Sequence, residues 1–253
     1  MKYFDPESIK SSQAIKNRLQ EFSGPTVRKG RALEILNDYA ARFFSGRKDM
    51  KILDCGTASG RFVEDLRGAG SQNIYGIEID DYLGAPVKSL LKDFKTADLS
   101  FKPLPWDSGF FDILTGWCLV PHLENPHNFI REAYRALNRN GLLIFSSINI
   151  TSPSHRKYFF KTGNFPVYHE QNNNINLFTP AIFQKTVLRY FELVGTEHFI
   201  APSTFLGWKG TLRRFVYDLT KGNKMLRSKL DERWGPKIVY ILQKKNEDLI
   251  PKS

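Results

Sequence analysis

With 253 residues, 41% of them hydrophobic and 25% charged, the chain has the length and composition of an ordinary globular protein built around a large core. No apolar run reaches the ~18 residues that span a membrane, the N-terminus lacks the apolar segment of a secretory signal, and two cysteines are too few for a disulfide framework. The formal net charge of +11 is unusually high. These features predict a cytoplasmic protein in which Cys55 and Cys118 are free, buried thiols.

The first part of the chain is predicted to be helical. Residues 5–45 carry apolar side chains at helical spacing, with a break at Gly24-Pro25. Such helices either cover a ligand or simply pack on the core. Residues 51–150 then alternate short apolar runs with amphipathic stretches of roughly ten residues, which predicts a parallel sheet with helices on both faces.

The composition changes after residue 150. Residues 151–178 contain prolines and three consecutive asparagines, which predicts a long connection with a functional role. A helix is expected over 180–190, a strand over 191–200 and a last strand over 237–245. The segment from Gly207 to Ser253 contains 12 Lys or Arg and 5 Asp or Glu. It suits nucleic acid, an anionic lipid surface or a phosphorylated substrate, and a solvated helix face is the ordinary alternative.

The most informative stretch is residues 51–60, Lys-Ile-Leu-Asp-Cys-Gly-Thr-Ala-Ser-Gly. An apolar strand runs into Asp54, and a loop of small residues then precedes a helix, which brings bare backbone close to a ligand. A dinucleotide-binding fingerprint would need glycines where Ala58 and Arg61 stand, and a phosphate-binding P-loop would end in Gly-Lys-Ser/Thr. The loop therefore indicates another ligand.

A second apolar run, residues 73–78, ends in Glu78. This is the place where a Rossmann-type sheet puts an acid on the two hydroxyls of a ribose. Because ionised carboxylates only accept hydrogen bonds, Glu78 suits a diol and Asp54 suits the cationic or amide-bearing tail of an amino acid. A solvated acid is the alternative for Glu78, and Asp80 or Asp81 could take its place.

The pattern Asp-x-Gly-x-Ala-x-Gly at residues 54–60 resembles the first motif of the Rossmann-like (class I) S-adenosylmethionine-dependent methyltransferases, which usually have glycine in place of Ala58. Five later segments resemble motifs of the same family in the same order, with Pro121 in a usual glutamate position. They are residues 96–99, 103–114, 119–126, 131–144 and 175–180.

The resemblance implies an α/β fold with a Rossmann-like, seven-stranded, mostly parallel sheet, helices on both faces, and a C-terminal basic helix plus a final antiparallel strand. It implies an N-terminal helical cover at 1–48 and a cofactor-binding core at 49–200. A substrate cover at 151–178 lies within that core, and a basic extension at 201–253 completes the sheet.

S-adenosylmethionine is the cofactor that the resemblance implies, with Asp98 at the adenine amino group. The residues expected to bind it are Asp54, Gly56, Thr57, Ala58, Gly60, Phe62, Glu78, Ile79, Asp98, Leu99, Gly116 and Trp117. Methyl transfer from a sulfonium needs mainly alignment and exclusion of water, and a base only when the acceptor must lose a proton. The candidate bases are His122, His155 and His169, each with a structural or solvated role as the alternative, and no metal-binding spacing is present.

The interpretation favoured by the resemblance is O-methylation of a small molecule, such as a sugar or a lipid-linked precursor. The basic tail would then bind substrate phosphates or an anionic membrane. One alternative is an RNA methyltransferase that uses this tail, and another is a catalytically inactive protein that still binds S-adenosylmethionine. The acceptor, the methylated atom, the use of a base and the oligomeric state stay open.

Overall fold

The structure, a computed structural model, describes residues 30–45, 47, 49–168, 173–199, 207–220 and 222–246. The first 29 residues of the predicted N-terminal cover and the candidate base His169 lie outside the described residues.

Seven strands form a single sheet with the order β3-β2-β1-β4-β5-β7-β6. β7 is antiparallel to its neighbours β5 and β6, and the other strands point in one common direction. This arrangement confirms the predicted Rossmann-like, mostly parallel sheet and its final antiparallel strand. The strands are β1 (Lys51–Cys55), β2 (Asn73–Glu78), β3 (Asp93–Thr96), β4 (Phe111–Gly116), β5 (Leu137–Ile148), β6 (Phe191–Phe199) and β7 (Lys237–Lys244).

Helices cover both faces of the sheet. Ile52 and Leu53 are neighbours in β1 but enter different hydrophobic clusters, since successive strand residues point to opposite faces. Within the described ranges, no helix is long and apolar enough to cross a bilayer. The helices are α1 (Arg31–Phe44), α2 (Arg61–Gly68), α3 (Ala85–Lys88), α4 (Pro126–Ala136), α5 (Pro153–Thr162), α6 (Pro180–Thr186), α7 (Gly207–Leu219) and α8 (Lys224–Trp234), with a 3-10 turn at Val120–His122.

Local sequence signals fix the start of several helices. Asn125, Ser152 and Thr179 each accept a hydrogen bond from the backbone N–H three residues later, and each is followed by proline. A polar cap and a proline in the first helical position are the usual signals for a helix start. They explain why the predicted connection at 151–178 contains the ten-residue helix α5.

A buried carboxylate joins the opening ends of three strands. Asp112 is 4% exposed and accepts hydrogen bonds from the Lys51 N–H at 2.8 Å, from Arg47 Nη1 at 3.0 Å and from Asn138 Nδ2 at 2.7 Å. A charge buried here is stabilised because an ion pair and two further donors surround it. The Asp112 contacts therefore hold the amino ends of β1, β4 and β5 in register.

Candidate active site

The carboxyl ends of β1, β2, β3 and β4 lie side by side at one edge of the sheet. Asp54 of β1 pairs in register with Gly76 of β2 and Thr115 of β4. Glu78 ends β2 and pairs with Thr96 at the end of β3. The acids predicted from sequence thus converge on the edge where open α/β sheets bind their ligands.

The loop after β1 is a tight turn that needs its glycines. Gly56 and Gly60 have φ angles of +76° and +80°, and a Cβ on Gly60 would collide with the Val87 side chain of α3. The Thr57 hydroxyl donates to the Asp54 carbonyl at 2.9 Å, and its residue is only 4% exposed. The Thr57 side chain therefore fastens the loop to β1, and the loop presents backbone at the edge of the sheet.

Ala58 occupies a backbone conformation that favours glycine. Its φ is +47°, in the left-handed region that costs a residue with a Cβ about 1–2 kcal/mol. Its N–H donates to Glu78 Oε2 at 2.8 Å, which helps to hold this conformation. Ala58 thus adopts a conformation that suits the glycine usual in the family motif.

We expect Ala58→Gly to raise the free energy of unfolding by up to about 1 kcal/mol, because glycine adopts this φ without strain. Urea unfolding measures the change. Ala69→Gly is the matched control, since Ala69 directly follows α2 at φ −83° and glycine gains nothing there. A loss of stability in Ala58→Gly similar to that of the control would contradict this account of the turn.

The Glu78 carboxylate links the loop to the end of β2. It accepts hydrogen bonds from the N–H groups of Ala58 and Ile79, both at 2.8 Å. Burial raises the pKa of Glu78 above its ordinary value, and these two hydrogen bonds oppose the rise. A carboxylate has about four acceptor positions, so capacity remains for two ligand hydroxyls.

Asp54 is a carboxyl group buried at the centre of this edge. It is 3% exposed, and Thr115 Oγ1 donates to its Oδ1 at 2.9 Å. Burial raises the pKa of Asp54 to about 8, and the negative charge of Glu78 adds to the rise. A cation bound beside Asp54 would favour the ionised form, as an amino-acid ammonium group does.

Two aromatic residues follow the loop and the end of β4. The indole Nε1 of Trp117 is buried and has no hydrogen-bond partner within the part of the chain that the structure describes. The Phe62 ring of α2 contacts the Trp117 ring edge-on, with 5.4 Å between centroids. Since buried N–H groups nearly always have partners, this donor suits an acceptor on a bound ligand. Gly116, directly before Trp117, is buried among core side chains.

The residues that the sequence predicts to contact adenine follow the carboxyl ends of β2 and β3. The Asp98 carboxylate is half-buried and accepts a hydrogen bond from the Ser100 N–H at 2.9 Å. Ile79 is 40% exposed, so its side chain is available to an apolar ligand surface. Leu99 is buried in the core, so its side chain is not available in the same way.

A second group of side chains lies where the loop after β4 meets β5 and β7. Its members are Cys118, Ser146 and Lys237. Cys118 has a φ of +55°, and its N–H donates to Ser146 Oγ at 2.7 Å. Lys237 Nζ, from the first residue of β7, lies 3.2 Å from the Cys118 sulfur. Cys55 is fully buried, as predicted, whereas Cys118 is half-buried, so the prediction of a buried thiol was wrong for it. Lys237 and Ser146 were not among the residues predicted from sequence.

The two described histidine candidates have different surroundings. His155 is 4% exposed, and its Nδ1 lies 2.9 Å from the Asn149 carbonyl oxygen, so Nδ1 carries the proton. Burial lowers the pKa of His155. His122 is half-buried, and its Nδ1 lies 3.1 Å from the Asn173 carbonyl oxygen. His155 thus anchors α5 to the end of β5, and His122 lies between the turn after β4 and the predicted cover.

Fold and site together define a class I S-adenosylmethionine-dependent methyltransferase. Residues 27–188 match the model of the family described as "Methyltransferase domain", so the chain belongs to that family. It is an enzyme of this class, and S-adenosylmethionine is its cofactor. The residues present fit this molecule, because Asp54 and Glu78 offer two acid groups and the Trp117 N–H is a donor with no partner among the described residues.

Solved structures show the same fold at low sequence identity. A methyltransferase from Methanosarcina mazei is 18% identical, with a TM-score of 0.53, over 84% of this chain and 98% of its own. A protein from Thermotoga maritima, described as a possible histamine N-methyltransferase, is 15% identical, with a TM-score of 0.51, over 84% of this chain and 97% of its own. No curated protein matches the sequence. Among the described residues, no group of His, Cys, Asp or Glu is placed to hold a metal ion.

Proposed function

We propose that this enzyme methylates an oxygen of a small acceptor that carries an anionic group, such as a phosphorylated sugar or a lipid-linked precursor. The observation that supports this most is Lys237, a cation beside the loop after β4. Within the described residues, no carboxylate forms an ion pair with it. A cation at this position suits an anionic group of the acceptor.

The proposed cofactor contacts follow from the chemistry of each group. Asp54 would accept hydrogen bonds from the ammonium group of the methionine tail, and Glu78 from the ribose hydroxyls. Asp98 would accept from the adenine amino group, with Ile79 against the apolar face of the base. When bound, the cofactor supplies a methyl group on a positively charged sulfur. The backbone of Gly56, Ala58 and Gly60 would approach it closely.

The proposed role of Lys237 and its neighbours is to bind the acceptor molecule and to orient it. Lys237 would hold the anionic group, and Ser146 fixes the Cys118 backbone beside it by the 2.7 Å hydrogen bond. A hydroxyl acceptor must lose a proton during transfer. His122 is the proposed base, because its ring is half-buried after β4, whereas the ring of His155 is enclosed.

We expect Lys237→Met to raise the KM for a phosphorylated hydroxyl acceptor about fivefold, which corresponds to about 1 kcal/mol for a half-exposed charged contact. Affinity for S-adenosylmethionine, measured by calorimetry, should not change. The test compares methyl transfer to acceptors offered with and without their phosphate. Lys92→Met is the matched control, because Lys92 is an exposed lysine just before β3. Equal KM values for both variants would contradict an anionic acceptor at Lys237.

A further inference from the structure

Helix α7 turns its apolar side chains towards solvent. Leu212, Phe215 and Leu219 are 59%, 61% and 69% exposed, and Val216 is 38% exposed. Because these positions are three or four residues apart, they form one stripe along the helix. A surface helix of a globular protein ordinarily directs such a stripe into the core. Here the stripe faces outward.

A neighbouring face of α7 holds the helix in this orientation. Arg213 and Tyr217 are half-buried, and Thr220 directly after the helix is buried. The Tyr217 hydroxyl donates to Asp231 of α8 at 2.9 Å, and the guanidinium carbon of Arg227 lies 4.1 Å from the centre of the Tyr217 ring. These specific contacts attach α7 to α8 through its polar face, so the outward stripe is a defined feature of the fold.

The stripe continues onto α8, where Met225 and Leu226 are 66% and 46% exposed. A groove of about 660 Å³ lies between α7, α8 and the start of α5, and its lining combines apolar side chains with Lys229, Arg233 and Glu232. We call the exposed apolar side chains of the two helices the docking face. It consists of Leu212, Phe215, Val216, Leu219, Met225 and Leu226.

The charge around the docking face indicates its partner. Residues 207–234 contain eight Lys or Arg and three Asp or Glu, and Arg214, Lys229 and Arg233 are exposed. An apolar helical stripe flanked by basic residues has the composition of a helix that lies in the interface of an anionic membrane. We propose that the docking face binds the surface of an anionic phospholipid bilayer, with α7 in the plane of the interface and its stripe among the acyl chains.

Two other partners fit the docking face less well. In a twofold dimer through this face, two basic surfaces would meet and repel each other. RNA would use the basic residues but gives no role to exposed leucine and valine side chains, since its bases stack on aromatic rings. α5, which borders the groove through Pro153, also combines exposed aromatic and basic side chains. The exposed aromatic residues of α5 are Tyr158, Phe159 and Phe160.

Vesicle flotation with the full chain tests this inference, which does not depend on the identity of the acceptor. We expect the protein to bind vesicles of phosphatidylcholine mixed with phosphatidylglycerol, to bind phosphatidylcholine alone much less, and to lose binding as salt rises. Phe215→Ser and Leu219→Ser should each reduce partition into the mixed vesicles about tenfold, since each removes inserted apolar area.

Phe101→Ser is the matched control, because Phe101 is 59% exposed on the turn after β3 and should not affect vesicle binding. Unchanged calorimetric binding of S-adenosylmethionine shows that each variant is folded. The inference is overturned if the parent does not bind mixed vesicles, or if Phe215→Ser binds them as well as Phe101→Ser does.

Sedimentation that shows a dimer lost in Phe215→Ser, without vesicle binding, would assign the docking face to a second copy of the chain. RNA binding that is sensitive to Arg214→Gln but not to Leu219→Ser, again without vesicle binding, would assign it to RNA.

Discussion

Replacing Glu78 with alanine is expected to weaken the binding of S-adenosylmethionine by about 1–3 kcal/mol, roughly five- to 150-fold in the dissociation constant. The proposed carboxylate partner of the ribose hydroxyls is removed, and those hydroxyls are then enclosed without an acceptor. The substitution also frees the N–H groups of Ala58 and Ile79, which donate to the same carboxylate. Isothermal titration calorimetry measures the change directly.

Two more variants separate the ligand contact from the link to the loop. Glu78→Gln keeps one acceptor oxygen, so we expect an affinity between those of the parent and of Glu78→Ala. Glu64→Ala removes an exposed carboxylate of α2 and should leave the affinity unchanged. Urea unfolding of the same variants reports how much the loop contributes to stability. If Glu78→Ala and Glu64→Ala bind the cofactor equally well, Glu78 is not part of its site.

The convergence of Asp54 and Glu78 at this edge was predictable because its signals are local in sequence. Asp54 and the small residues after it form one strand-to-helix turn, and Glu78 ends the next apolar run. Parallel strands bring such ends together whatever their exact packing. The position of β7 between β5 and β6 was not predicted, because periodicity does not encode which strands are neighbours.

The group formed by Cys118, Ser146 and Lys237 could not be predicted in the same way, because its contacts join distant parts of the chain. Lys237 is 119 positions from Cys118, and Ser146 is 28 positions away. The outward stripe of α7 was also hidden, since the spacing of Leu212 and Phe215 equally fits a helix packed on a core. Its orientation depends on the contact of Tyr217 with Asp231, which pattern analysis does not reveal.

Asp54→Asn is expected to stabilise the protein without bound cofactor at neutral pH and to remove part of the pH dependence of its stability. The pKa of Asp54 is raised from its ordinary 3.8 to about 8 by burial. Between these two pH values the unfolded chain has lost this proton and the folded protein keeps it. The folded state therefore binds more protons, and stability falls as pH rises across this window by up to about 1.4 kcal/mol per pH unit. Below the window and above it, the group adds no slope.

The measurement is the free energy of unfolding in urea at a series of pH values from about 5 to 8, for the parent and for Asp54→Asn. Asparagine has the same shape, stays neutral, and can still accept the hydrogen bond from Thr115 Oγ1. The negative charge of Glu78 is coupled to Asp54, so the difference between the two curves reports the titration of Asp54 together with this coupling. Parallel curves would show that the Asp54 pKa is close to its ordinary value.

Although Asp54→Asn should stabilise the cofactor-free protein, it should weaken the binding of S-adenosylmethionine. An ammonium group beside Asp54 favours the carboxylate, so the parent should release a proton when S-adenosylmethionine binds near pH 6.5 and should bind it more tightly as pH rises towards 8. Asp54→Asn should bind about tenfold or more weakly, because a charged hydrogen bond is lost, and should release no proton at this site. Calorimetry in two buffers of different ionisation enthalpy counts the protons, and parent and variant are compared at the same pH with the same free ligand. Equal proton release by parent and variant would mean that the methionine tail lies away from Asp54, and the orientation proposed for the cofactor would then have to be reversed or abandoned.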